Sequence, residues 1–84
     1  MDYIEMQIIA IETANSNHGD FLKNMANAWL RAEPSNRIIL ENAWRDLINK
    51  YDLAKEYSKE IKEHYHEYEI NLSLPPNSPP KRNP

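Results

Sequence analysis

Cysteine is absent from the 84 residues, so no disulfide staples the fold and no thiolate is available for a structural zinc site. That lack fits a reducing, cytoplasmic setting. A single glycine, Gly19, excludes the glycine-rich loops that cradle phosphates in nucleotide enzymes. Long apolar runs are missing as well. The longest is Ile8-Ile9-Ala10-Ile11, far short of the roughly 20 residues that cross a bilayer, so no membrane association is expected. The opening MDYIEMQIIAIE carries acids where a secretory signal needs basic residues, so none is expected there. Positive charge is not in excess either: ten Lys and Arg stand against thirteen Asp and Glu, a net charge of −3. A duplex nucleic-acid binder usually shows a basic face, so direct nucleic-acid binding is not expected.

Proline is plentiful but concentrated. Five of six fall in the terminal stretch NLSLPPNSPPKRNP, residues 71–84, which holds no apolar side chain except proline after Leu74. Such composition reads as a disordered tail or spacer. Its Pro76-Asn77-Ser78-Pro79 spacing is a weak polyproline-ligand signal. The helical domain is therefore expected over residues 1–70, and a core of that size supplies only about 3–5 kcal/mol of net stability.

Within that domain apolar residues recur at helical spacing. The first helix is expected from about Asp2 to Ala14, opened by a capping-box pair, Asp2 and Glu5. Its apolar residues cover a wide arc, which points to burial on more than one side or to a partner. The run Asn15–Gly19 is a turn, and Asn17 with Asp20 suits the start of a second helix ending near Ala32. Glu33-Pro34 marks the next junction, because proline fits a first helical turn and pushes the residue before it out of helical geometry. The third helix is expected to run to about Lys50 with Ile39, Leu40, Ala43, Trp44, Leu47, Ile48 and Tyr51 inward. Near Asp52 the chain either kinks within one long helix or starts a fourth. The fold class is thus all-α, a small three- to four-helix bundle. Phe21, Met25, Trp29, Leu40, Trp44, Leu47 and Ile61 are the expected core anchors.

Residues His18-Gly19-Asp20-Phe21-Leu22, then Ala28 to Pro34 with Asn36, then Trp44, Leu47, Ile48, Lys50 and Tyr51 form a pattern of core and cap positions. Over residues 18–51 it resembles short helical proteins encoded by bacteriophages and other mobile elements. One departure is Glu33, a poorer N-cap than the aspartate usual before that proline. The resemblance carries no activity with it. It implies a small product that is cytoplasmic in a bacterial host and acts by binding a host protein.

Catalytic and metal chemistry find little support. His64 and His66 point to opposite sides of a helix, and one histidine with one carboxylate is too few metal ligands. His18 beside Asp20 is explained by a helix start, and no serine has a nucleophile signature. No cofactor is expected, and the chain is not expected to be an enzyme. Charge is the remaining signal. From Asp52 to Glu69 six acids and three lysines give −3, with Glu56, Glu60, Glu63 and Glu67 in one row. Tyr57, Tyr65 and Tyr68 share that segment, and tyrosine is enriched at interfaces. This acidic–tyrosine face is the expected docking surface for a host protein or complex, the chain acting as an occluding inhibitor such as an anti-CRISPR. The competing reading is a homodimer through the same helix. A transcriptional regulator is disfavoured, because Arg37, Arg45 and Lys50 of the third helix are offset by Glu41 and Asp46.

Overall fold

The computed structural model describes the backbone of residues 1–72 and the side chains of residues 1–65. All of the described secondary structure is helical: α1 Tyr3–Ala14, α2 Asp20–Arg31, α3 Pro34–Lys50, α4 Leu53–Glu56 and α5 Ser58–Leu72. The Pro-rich tail expected beyond residue 70 lies outside the described residues, apart from Asn71 and Leu72, which continue α5.

Each boundary has a local cause. Asp2 accepts a hydrogen bond from the Glu5 amide at 2.9 Å, and the Glu5 carboxylate accepts one from the Asp2 amide at 3.2 Å, so the capping box opens α1. Its far end is closed by Asn15 and Ser16, whose side chains donate to the carbonyls of Ile11 and Thr13. The turn then passes through Gly19 at φ 101°, ψ 165°, a region that side chains bearing a Cβ avoid. That residue is the N-cap of α2. The expected cap at Asn17 is not used, and no side chain caps this helix. At the next corner Ala32 and Glu33 are extended and Pro34 opens α3, again without a side-chain cap. Asp52 ends any continuity between the third and fourth helices. It sits left-handed at φ 56°, ψ 39°, and it makes no capping bond to α4.

The core joins Met6, Ile9, Ala10 and Thr13 of α1, Leu22, Ala26 and Trp29 of α2, Trp44 and Ile48 of α3, Leu53 of α4, and Tyr57. Both tryptophans are 0% exposed. The Trp44 indole N–H donates to the Met6 carbonyl at 3.3 Å across the interior, which satisfies its one polar atom. Met25, Leu40, Leu47 and Ile61 pack against this core while half-buried.

Four inward assignments are corrected. Phe21 is 59% exposed, Ile39 73% and Tyr51 44%, and Ala43 is exposed too. The reason is angular. Successive helical residues differ by about 100°, so a one-residue choice between adjacent apolar side chains turns the stripe by more than a quarter circle. On α2 Leu22, Ala26 and Trp29 took the i, i+4, i+7 positions, and neighbouring Phe21 was turned outward.

Candidate partner-docking surface

The acidic row of α5 is the strongest site signal in the sequence, and the fold divides its members. Tyr57 is 8% exposed and belongs to the core. Its hydroxyl lies 3.0 Å from His18 Nε2, and burial pushes the hydroxyl above its ordinary pKa of 10.0. Tyr57 is therefore withdrawn from the docking surface, because its ring fills space between the α1–α2 turn and the α4–α5 corner. Glu56 is spent at the same point: its carboxylate is 2.9 Å from the same histidine nitrogen. His18, expected to start a helix, instead ties that turn to the corner.

Tyr65 is half-buried, and its hydroxyl donates to Asp2 Oδ2 at 2.8 Å. The bond raises Tyr65 to about 12, while the Glu5 amide, and after it the Tyr65 hydroxyl, holds Asp2 below the ordinary 3.8. Tyr65 thus fastens α5 to the start of α1, while Glu60 and Glu63 meet Ile8, Ile11 and Glu12 further along it, so the two helices run antiparallel. Glu67 and Tyr68 lie in α5, but their side chains fall outside the described residues.

Glu60 and Glu63 remain, and the fold brings a third carboxylate to them. Glu12 of α1 joins both around a hollow of about 310 Å³ floored by Ile8 and Ile11, with His64 also lining it. Among the described residues Glu41 pairs with Arg45 and Glu56 contacts His18, and none of these three carboxylates lies within ion-pair distance of a lysine or arginine. Among the described residues no lysine or arginine lines the hollow. On the other flank of α5 lies a larger open groove of about 890 Å³, where Met1, Ala54, Ile61 and Tyr65 form much of the wall. Ile61, expected in the core, contributes to that groove as well as to packing. Glu5, Lys62 and Glu63 line it, so its charge is mixed, and Glu63 is shared between the groove and the hollow.

Two features were not read in the sequence. Glu12 was invisible as a member of the acidic row because it belongs to a helix far away along the chain. Arg37 was counted only as one of the third helix's charges. It sits in the first turns of α3 and donates from Nε to the Trp29 carbonyl at 2.9 Å and from Nη2 to the Leu30 carbonyl at 2.6 Å. A third bond goes to the Tyr3 hydroxyl. The guanidinium also lies over the Trp29 ring at 4.9 Å and near Tyr3 at 5.7 Å. Arg37 thus caps the end of α2 in place of a local C-cap.

Among the described residues no group of three His, Asp or Glu side chains, those of the hollow included, is placed to hold a metal ion, and no helix is long and apolar enough to cross a membrane. No family model matches this chain, and neither a curated protein nor a solved structure does.

Proposed function

We propose that this chain is a small non-enzymatic protein-binding module of a phage or other mobile element, acting by covering a surface of a host protein. Inhibition of a bacterial defence complex, as an anti-CRISPR performs it, is the specific form of that reading. The observation that carries it is the set of three carboxylates, Glu12, Glu60 and Glu63, without cationic partners among the described residues and set around an apolar floor. Uncompensated charge of one sign on a rigid helical edge steers a complementary partner and speeds its association. A homodimer through the same edge fits less well, because two copies would bring carboxylate against carboxylate.

The test is a pull-down from nuclease-treated bacterial lysate with the wild-type chain and with a Glu60→Lys/Glu63→Lys/Glu67→Lys variant. Glu56 is left intact because it pairs with His18. One stoichiometric host protein recovered by the wild type and lost by the variant is the expected result. Equal recovery by both removes the acidic edge from consideration. Recovery of the bait alone, with dimeric mass by light scattering, transfers the surface to self-association.

A further inference from the structure

We infer that the partner presents a basic amphipathic helix, which seats its apolar side on the isoleucine ridge of α1 and its lysines or arginines against Glu12, Glu60 and Glu63. This rests on the protein-binding reading above and extends its site from α5 onto α1.

The argument begins with an imbalance in α1. A helix that is apolar around most of its circumference is normally covered around most of its circumference. The α1 helix is apolar on two sides, but the fold covers one. Met6, Ile9, Ala10 and Thr13 face the core, all at 0% exposure. Ile4, Ile8 and Ile11 follow one another at i, i+4 and i+7, roughly half a turn away from that face. Ile4 is 46% exposed and Ile11 44%, with Ile8 half-buried between them. Three β-branched aliphatic side chains in a row form a ridge of the kind that packs into the groove of another helix.

Charge then selects among occupants. Along one side of the ridge stand Glu12, Glu60 and Glu63, and among the described residues no basic side chain lines the hollow. Residues 1–72 as a whole carry thirteen acids against eight basic side chains, a formal charge of −5. A second copy would bring the same acids to the seam, where like charges oppose association. An acidic or neutral helix would leave them uncompensated. A helix with lysine or arginine beside its apolar stripe satisfies both ridge and rim. The larger groove shares Glu63 but already holds a cation, Lys62, beside it and Glu5, so it makes no such selection.

The test uses the full-length chain and three labelled synthetic helix-forming peptides, followed by fluorescence anisotropy. One carries leucine and lysine in an amphipathic pattern, one replaces lysine by glutamate, and one replaces leucine by alanine. The leucine–lysine peptide is expected to bind, and the other two to bind at least about tenfold more weakly. Exposed pairs each contribute a few-fold, so Glu12→Lys/Glu60→Lys/Glu63→Lys should weaken binding by about ten- to a hundredfold. Ile4→Ser/Ile11→Ser, at positions already half in solvent, should weaken it by about tenfold with helicity by circular dichroism unchanged.

Unchanged affinity in the Ile4/Ile11 variant, with loss in the rim variant, would overturn the ridge while leaving the acidic edge as a docking site. Equal binding of the leucine–glutamate peptide would overturn the selection by charge. A dimer that the Ile4/Ile11 variant dissociates would give the ridge to a second copy. Amide shifts at Ile8 and Ile11 on adding a peptide of residues 73–84, which contains Lys81 and Arg82, would give it to the chain's own tail. Either of the last two also overturns the inference.

Discussion

Replacing Arg37 by alanine tests the reasoning at the point where three helices depend on one side chain. The guanidinium holds the Trp29 and Leu30 carbonyls at the end of α2 and the Tyr3 hydroxyl on α1, and it stacks on two rings. A hydrogen bond to a charged group is worth about 1.5–3 kcal/mol. Arg37 is half-buried, so water recovers part of this on mutation, and about 1–2 kcal/mol for the carbonyl bonds together is the working figure. The stacking on Trp29 and Tyr3 adds about 0.5–1 kcal/mol. The total, about 1.5–3 kcal/mol, is a large share of the roughly 3–5 kcal/mol that a domain of this size has in hand. With a urea m-value of about 1 kcal/mol/M, the midpoint should fall by about 2 M. Urea unfolding followed by tryptophan emission suits the measurement, because Trp29 lies beneath the guanidinium and Trp44 in the core. Arg37→Lys keeps the charge but cannot bridge two carbonyls and a hydroxyl with a planar fork, so its midpoint should fall between the other two. A midpoint for Arg37→Ala within about 0.5 M of wild type would refute the cap.

Gly19→Ala should cost about 1–3 kcal/mol through the backbone alone, since an added Cβ would meet open space at φ 101°. Asp52→Gly should act in the opposite direction, raising stability by about 0.5–1 kcal/mol as left-handed strain at φ 56° is relieved. Thermal midpoints moving the same way in both would contradict the backbone argument. Trp44→Ala should cost about 3–5 kcal/mol and leave the chain largely unfolded by circular dichroism, and retention of a cooperative transition near the wild-type midpoint would deny Trp44 its place in the core. In an alkaline absorbance titration Tyr65 should ionise last, near about 12, and Asp2→Asn should return it toward 10.0. Because the fold raises this pKa, the Tyr65–Asp2 contact stabilises below pH 10 and is lost as pH rises through about 12. The lowered Asp2 works from the other side, stabilising above pH 3.8 and fading as pH falls below it. Five tyrosines titrating in one step near 10.0 would show that this contact does not persist in solution.

Much of the helical layout was legible because its causes are local. Asp2 with Glu5, Gly19 in the first turn and Pro34 at the second corner act through neighbouring backbone, so their meaning survives without knowledge of the fold. Asp52 was less readable, since a left-handed residue that is not glycine has no fixed sequence mark. The wide apolar arc of α1 was visible as a surplus, but which side would be covered was not. The docking face was read in half. The row on α5 was plain, yet Tyr57 and Glu56 were withdrawn from it by His18, 39 residues away from that tyrosine.

The sequence by itself determined the approximate limits of α1, α2 and the start of α3, because capping, glycine dihedrals and proline geometry act over a few residues. It also set the surplus of acid and the two tryptophans that anchor the interior. Only the tertiary structure decided which of two adjacent apolar residues faces inward, Leu22 rather than Phe21, since that choice depends on how one helix is rotated against another. It alone brought Glu12 beside Glu60 and Glu63, set Arg37 over the end of α2, and left Ile4 and Ile11 exposed with Ile8 half-buried between them. Those outcomes depend on contacts between residues distant in the chain, where no local preference operates.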